Sequence, residues 1–172
     1  MKTNIVLTGF MGTGKSSVGR ELAKLLQMDF IDTDDEIEKL HGPIKEIFHN
    51  QGEHFFRNCE REIAKELSTV SNTVIATGGG LMINNENADR LMNSGKVFCL
   101  HADLADIVER LRNSEGTNVR PLWEKENNIN EMQTLLNERS VSYNKFEQVF
   151  TEGKSPIEIA KEISEKVTTR EF

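Results

Sequence analysis

The residues with the clearest chemical capacity form a glycine-rich stretch near the start of the sequence. Residues 9–16 read GFMGTGKS, which is the P-loop pattern of glycine, four residues and then Gly-Lys-Ser. The backbone N–H groups of such a turn surround a polyphosphate, and the helix that follows adds the positive end of its dipole. Lys15 would supply a charge to the β- and γ-phosphates, and the Ser16 hydroxyl a ligand for Mg²⁺. The stretch therefore predicts a nucleotide-binding site.

The sequence on either side of this stretch supports the interpretation. Residues 5–7 are apolar and predict a short buried strand, and residues 18–26 carry apolar side chains at helical spacing. A chance match in an unrelated turn is the alternative, and the presence of both strand and helix argues against it. A dinucleotide-binding GxGxxG beginning at Gly12 would need glycine where the chain has Ser17.

Two carboxylates, Asp32 and Asp34, follow the second predicted strand. An extended backbone would direct both side chains to one side. Close to a bound triphosphate, they suggest one carboxylate near Mg²⁺ and one at the hydroxyl of an acceptor. The alternative is that acidic residues cap the next helix, which suits Asp35 better than Asp32.

Two arginines lie on predicted helices in positions that suit an anion. Helical spacing places Glu53 one turn before Arg57 and Glu60 one turn after it, which would aim the guanidinium for bidentate binding. Spacing alone favours the alternative of a solvated salt-bridge face. Arg139 and Tyr143 share a face of a later helix, where Tyr143 could equally be a core residue.

Two loops complete the candidate site. Gly78, Gly79 and Gly80 follow the third predicted strand, and three glycines in a row indicate close approach to another group, here the polar edge of a small substrate. Residues 113–128 are polar and contain glycine and proline, which predicts a long loop that acts as a mobile lid. Arg120 in that loop could close over the transferred phosphate, although a lone loop arginine is more often solvated.

Composition limits the class of protein. The 172 residues carry a formal net charge of −7 without a long basic run, which disfavours nucleic acid as a partner. Cys59 and Cys99 form no CxxC pair and are expected in the core. The four histidines have no zinc-ligand spacing. Because residues 1–4 are polar and the first predicted strand follows them at once, neither a signal peptide nor a membrane span is expected, which predicts a cytoplasmic protein.

Alternation of strands and helices indicates the fold class. The strands are continuous apolar runs, which predicts an α/β protein with a parallel sheet and helices on both faces. Ligands of such sheets bind beyond the carboxyl ends of the strands, where the P-loop, Asp32, Asp34 and the three glycines all fall. We expect a single domain over residues 1–172, with a substrate-binding insertion at residues 34–60.

Six motifs, in order, resemble those of the shikimate kinase family from about Ile5 to Ile163. They are GFMGTGKS, Asp-Thr-Asp, Phe-Arg-x-x-Glu, Gly-Gly-Gly, an Arg-Pro-Leu lid and Arg-x-x-x-Tyr. The resemblance implies a three-layer P-loop kinase fold with five parallel strands in order 2-3-1-4-5. It also implies ATP-dependent phosphorylation of the 3-hydroxyl of shikimate, a step toward the aromatic amino acids, by a magnesium-dependent enzyme that works as a monomer.

The resemblance further implies roles for individual residues. ATP and its phosphates would be held by Gly12, Thr13, Gly14, Lys15, Ser16, Ser17 and Arg120, with adenine between Pro156 and Arg112, for which Arg110 is a competing assignment. Mg²⁺ would be bound by Ser16 and, through water, by Asp32. Shikimate would be bound by Asp34, Arg57, Glu60, Gly78, Gly79, Gly80 and Arg139, with Asp34 at the acceptor hydroxyl. Lys15, Asp34 and Arg120 would be the catalytic residues.

The sequence departs from the family in two places. Trp123 replaces a usual leucine in the lid, and the turn at residues 150–155 is shorter than the usual adenine loop.

Two other functions compete with this assignment. Another small-metabolite kinase of this fold, such as a gluconate kinase, is one alternative, but it does not explain the two arginines together with Asp34. A catalytically silent nucleotide-binding relative is the other, and retention of Lys15, Asp34 and Arg120 argues against it.

Overall fold

A five-stranded parallel sheet forms the centre of the molecule. The computed structural model describes residues 3–113 and 129–168. The strands lie in the order β2-β3-β1-β4-β5, and every neighbouring pair is parallel. This confirms the predicted order. Their bounds are β1 Asn4–Thr8, β2 Asp29–Asp32, β3 Thr73–Ala76, β4 Gly95–His101 and β5 Glu147–Phe150.

Helices connect the strands and cover both faces of the sheet. Their bounds are α1 Lys15–Leu26, α2 Thr33–His41, α3 Ile44–Asn50, α4 Gly52–Leu67, α5 Asn85–Ser94, α6 Leu104–Asn113, α7 Ile129–Tyr143 and α8 Pro156–Thr168, with a short 3₁₀ turn at Leu81–Ile83. Residues 34–60, expected to form an insertion, run from the first turn of α2 through α3 into α4. Within the described part of the chain, no helix is long and apolar enough to cross a membrane.

The central strand shows why the strands read as continuous apolar runs. All five residues of β1 are buried, because successive side chains point to opposite faces and both faces are covered. Val6 belongs to the core cluster shared with α4, α5 and α7. Ile5 and Leu7 belong to the other cluster, shared with α1 and α8.

Both cysteines lie in this core, as expected. Cys59 and Cys99 are free thiols and both are buried. Burial raises the pKa of the Cys99 thiol to about 11, against the opposing charge of Lys15. A thiol with so high a pKa stays protonated at neutral pH and is a poor nucleophile.

The start of α2 differs from the prediction. Asp34 was expected on extended backbone beside Asp32. Instead β2 ends at Asp32 and α2 begins at Thr33. The physical reason is that Asp32 is the N-cap of α2, its side chain accepting a hydrogen bond from the Asp34 backbone N–H at 3.0 Å.

Candidate functional site

The P-loop leads from β1 into α1 through backbone that favours glycine. Gly9, Gly12 and Gly14 have φ values of 134°, 73° and 92°, a region that other residues rarely adopt. Gly9 is also pressed against β4, since a Cβ there would overlap the Leu100 carbonyl oxygen. Helix α6 packs on the loop, because a Cβ at Gly12 would lie 3.1 Å from the Ile107 side chain. The sheet and α6 therefore fix the shape of the loop.

Lys15 is folded back onto this loop. Its Nζ donates to the carbonyl oxygens of Gly9 at 2.8 Å and of Phe10 at 2.7 Å, and the residue is 4% exposed. Thr13 is buried too, and its hydroxyl donates to the Phe10 carbonyl at 2.8 Å. The ammonium is thus held by backbone carbonyls of the loop, and a phosphate of a bound nucleotide would compete with them for it.

The side chains of Ser16 and Asp32, which the sequence predicts as magnesium ligands, are in contact. The Ser16 hydroxyl donates to Asp32 Oδ2 at 2.5 Å, while Asp32 Oδ1 caps α2. A hydroxyl and a carboxylate from two elements are the hard oxygen donors that Mg²⁺ prefers. The expectation that Asp35 caps this helix better than Asp32 is wrong, because Asp35 instead pairs with Arg20 at 3.4 Å.

Asp34 lies in the first turn of α2 and faces the loop after β3. The neighbouring Thr33 is fully buried, and its hydroxyl accepts a hydrogen bond from the Gly78 backbone N–H at 2.8 Å. A Cβ on Gly78 would overlap Asp34 Oδ1 and lie 3.2 Å from Cγ. The carboxylate of Asp34 therefore rests directly against a glycine.

Arg57 is held between two glutamates, as the helical spacing predicted. Its Nη1 donates to Glu60 Oε2 at 2.7 Å and its Nη2 to Glu53 Oε1 at 3.0 Å. The Glu60 side chain is only 3% exposed and the Arg57 side chain 29%. The alternative of a solvated salt-bridge face is therefore wrong for the Arg57–Glu60 pair. Because Glu60 is buried, the pKa of its carboxyl is raised, although Arg57 opposes that shift.

Arg139 and Tyr143 approach the same loop from α7. The Tyr143 hydroxyl donates to the Gly79 carbonyl oxygen at 2.6 Å, while the residue is only 4% exposed. Tyr143 is therefore a core residue, and its hydroxyl also fixes the loop of three glycines. The Arg139 guanidinium lies over the Phe10 ring at 5.8 Å, beside the P-loop.

The three successive glycines bring these side chains to one place. A Cβ on Gly79 would lie 3.3 Å from Arg139 Nη1, 3.6 Å from the Met11 backbone nitrogen and 3.7 Å from the Gly9 carbonyl oxygen. A Cβ on Gly80 would overlap Arg57 Nη1. One carboxylate and two guanidiniums therefore lie along this loop, each within 4 Å of the Cβ position of a different glycine, and Gly79 is also close to the P-loop backbone. This arrangement suits an anionic, hydroxyl-bearing molecule next to a nucleotide phosphate.

The residues expected around adenine lie near the end of α6 and at the start of α8. Arg110 donates to the Thr151 hydroxyl at 3.0 Å and to the Thr151 carbonyl at 3.2 Å. Arg112 is exposed near the end of α6, and Pro156 is exposed at the start of α8. Ser17 is exposed on α1. Arg120, Trp123 and residues 114–128 of the expected lid lie outside the described residues.

Some contacts could not be read from the sequence. The Gly78–Thr33 hydrogen bond joins residues 45 positions apart, and the Tyr143–Gly79 hydrogen bond joins residues 64 positions apart. No sequence motif predicts either contact. His101 belongs to no ligand motif, yet it lies with Asp103 and Glu152 in a group whose potential metal-ligating atoms are within 4.8 Å of one another. Glu152 Oε1 already accepts from the Asp103 backbone N–H at 3.0 Å.

Comparison with known proteins gives consistent results. A family model described as shikimate kinase matches residues 11–168. A shikimate kinase from Thermodesulfovibrio yellowstonii is 46% identical, covering 93% of this chain and 92% of its own length, and one from Persephonella marina is 41% identical, covering 93% and 96%. The structure of a shikimate kinase from Acinetobacter baumannii in complex with shikimate matches with a TM-score of 0.91 and 33% identity, covering 99% of this chain and 95% of that one.

Proposed function

Since this chain belongs to the shikimate kinase family, we propose that it transfers the γ-phosphoryl group of ATP to the 3-hydroxyl of shikimate. The products are shikimate 3-phosphate and ADP. The observation that carries the proposal is the convergence of Asp34, Arg57 and Arg139 on the glycine loop beside the P-loop. A carboxylate-bearing ring with several hydroxyls needs this combination of two guanidiniums and one carboxylate.

The two arginines bind the carboxylate of shikimate. Arg57 presents a planar guanidinium whose position is fixed by Glu53 and Glu60, and such a fork binds a carboxylate bidentately. Arg139 contributes the second charge from α7. The substrate carboxylate does not change its charge during phosphoryl transfer, so these contacts stabilise the ground state and the transition state to a similar extent.

Asp34 acts at the acceptor hydroxyl. An aspartate within hydrogen-bond reach of that hydroxyl orients it toward the γ-phosphorus and accepts its proton as the bond to phosphorus forms. The attacking oxygen then carries the phosphoryl group, and the β-phosphate oxygen leaves as part of ADP. No covalent intermediate with the protein is required, because positioning and electrostatic stabilisation supply most of the catalysis.

The P-loop and the following residues hold ATP. Backbone groups from Gly12 to Lys15 surround the phosphates, and the Lys15 ammonium transfers its hydrogen bonds from loop carbonyls to phosphate oxygens. Ser16 and Asp32 would hold Mg²⁺, an assignment supported by the contact between their side-chain oxygens. When bound, the ion neutralises charge on the β- and γ-phosphates.

Adenine and the lid arginine complete the proposal. We assign adenine to the space between Arg112 and Pro156, because the guanidinium of the competing Arg110 is engaged by Thr151.

Arg120 is proposed to stabilise the transferred phosphoryl group, on the basis of the family resemblance alone. A cytoplasmic, monomeric enzyme is likewise part of the proposal, and gel filtration tests the second point.

The direct test is to supply the purified chain with ATP and Mg²⁺ and to measure ADP release with a panel of acceptors. Shikimate, gluconate and nucleoside monophosphates represent the alternatives within this fold. We expect ADP release that depends on shikimate and stays at the background rate of ATP hydrolysis with the others. Release with gluconate or a nucleotide but not with shikimate would overturn the proposal, and release with none would indicate a silent relative.

A further inference from the structure

Gly78 and Gly80 have no backbone reason to be glycine. Neither has a positive φ value, and Gly80 has the right-handed helical values of φ −94° and ψ −17°. Any L-residue adopts such a conformation without strain. Alanine in place of a glycine at a compatible position even favours folding, because it restricts the unfolded chain. The requirement for glycine must therefore come from what lies next to the missing side chain.

What lies there is in each case the functional end of one charged side chain. A Cβ on Gly78 would overlap Asp34 Oδ1 and lie 3.2 Å from Cγ and 3.4 Å from Oδ2. A Cβ on Gly80 would overlap Arg57 Nη1 and lie 3.0 Å from Cζ and 3.2 Å from Nη2. In both cases the three nearest atoms all belong to that one side chain, and none is backbone. A methyl group would thus displace the side chain and leave the loop where it is.

The loop itself is firmly anchored, so it cannot relax away from an added methyl group. On one side the Gly78 N–H donates to the buried Thr33 hydroxyl at 2.8 Å. On the other, the Tyr143 hydroxyl donates to the Gly79 carbonyl at 2.6 Å. The Gly78 carbonyl also accepts from the Leu81 backbone N–H at 3.2 Å. Anchors on α2, α7 and the following turn therefore hold the loop as a fixed surface.

We propose that Gly78 and Gly80 are positioning residues with separate tasks: Gly78 sets the place of the Asp34 carboxylate, and Gly80 sets the place of the Arg57 guanidinium. Each acts through the charged side chain beside it, in addition to any contact that the glycine loop makes with the substrate. Thr33 and Tyr143 are the anchors that make the positioning rigid. This inference rests on the proposed function, because the tasks of Asp34 and Arg57 define what each glycine affects.

Two neighbouring glycine-to-alanine substitutions should then have different kinetic effects. Gly78→Ala moves Asp34 away from the acceptor hydroxyl, and a displacement of about 1 Å costs roughly a hundredfold in kcat, with a smaller change in the KM for shikimate. Gly80→Ala moves Arg57 and raises the KM for shikimate by about ten- to a hundredfold, with kcat largely kept. The KM for ATP should not change in either variant, and neither should unfold at a lower temperature than the wild type.

A double-mutant cycle tests whether Gly80 acts through Arg57. In an Arg57→Ala background there is no guanidinium to displace, so adding Gly80→Ala should leave the KM for shikimate within about twofold of the single Arg57→Ala variant. The corresponding cycle for Gly78 uses Asp34→Ala and compares kcat. Full additivity in both cycles would overturn the proposal, because the glycines would then act independently of these side chains.

The outcomes separate this inference from the proposed function. If the wild-type protein does not phosphorylate shikimate, the function is wrong. If it does, but Gly78→Ala and Gly80→Ala lower kcat and raise KM alike, the function stands and the separate positioning tasks are wrong. Loss of folding in either variant, seen as a lowered thermal midpoint, would contradict the claim that only a side chain moves. Thr33→Val supplies a further check, since freeing Gly78 from its anchor should partly restore kcat in Gly78→Ala.

Discussion

At the residue scale, Lys15 has two roles that one substitution can separate. It is needed at the phosphates, and it also donates to the carbonyls of Gly9 and Phe10. Lys15→Met should therefore lower kcat by at least about a thousandfold. It should also cost about 1 to 3 kcal/mol of folding free energy, because two loop carbonyls lose their donor.

The control for this variant lies on the same helix. Lys24 is paired with Glu21, and its side chain is 73% exposed, so Lys24→Met should leave both kcat and stability close to those of the wild type. Steady-state assays and urea unfolding measure the two effects. Near-normal activity in folded Lys15→Met would remove the P-loop lysine from the mechanism.

Glu60 gives the site a pH dependence whose two effects have opposite signs. Burial raises the pKa of its carboxyl above the ordinary 4.5. As the pH falls through that raised pKa, Glu60 gains a proton and no longer holds Arg57, so the KM for shikimate should rise. The folded state binds this proton more tightly than the unfolded state, so Glu60 contributes stability at low pH that is lost as the pH rises through its folded pKa.

Glu60→Gln tests both effects. The variant should have a raised KM for shikimate at neutral pH and should lack the further rise that the wild type shows on acidification. Its stability relative to the wild type should improve as the pH increases from about 4 to 7. A KM profile identical in the two proteins would show that Glu60 does not control Arg57.

At the scale of elements, the sheet and its helices could be predicted closely, but the contacts that shape the site could not. Strand order, the P-loop turn and the Glu53–Arg57–Glu60 spacing follow from periodicity and from the resemblance. The start of α2 was wrong because the spacing of two aspartates does not tell a strand end from an N-cap. The Thr33–Gly78 and Tyr143–Gly79 bonds depend on how β2, β3 and α7 pack together, which no local pattern encodes.

The turn after β5 provides a prediction about the end of α6. Arg110 ties α6 to Thr151, whereas Arg112 is exposed. Arg112→Ala should raise the KM for ATP about fivefold or more, as expected for loss of stacking on adenine, without changing thermal stability. Arg110→Ala should instead lower stability by about 1 kcal/mol. The reverse pattern would assign adenine to Arg110.

At the scale of the whole molecule, the two faces of the sheet contribute differently to the shikimate site. The face covered by α4 and α7 carries Arg57 and Arg139, while the face covered by α1 and α8 provides packing around Leu7. A core substitution on α8 should therefore reduce stability without affecting substrate binding.

Ile163 on α8 is fully buried and suits this test. Ile163→Ala should cost about 2 to 5 kcal/mol, which lowers the thermal midpoint by about 5 to 15 °C in a chain of this size. The KM for shikimate at 20 °C should stay unchanged. Ile157→Ala, at a position that is 37% exposed on the same helix, should shift stability by only about 0.5 kcal/mol. Equal effects of the two substitutions would contradict the packing of α8.

The central claim is that two arginines recognise the carboxylate of shikimate beside the P-loop. The most direct test compares kcat and KM for shikimate with those for its neutral carboxamide, in the wild type and in Arg57→Ala. The wild type should use the carboxamide with a KM about ten- to a hundredfold higher and a similar kcat, and Arg57→Ala should discriminate less between the two. A wild-type enzyme that used both molecules equally well would contradict the carboxylate clamp.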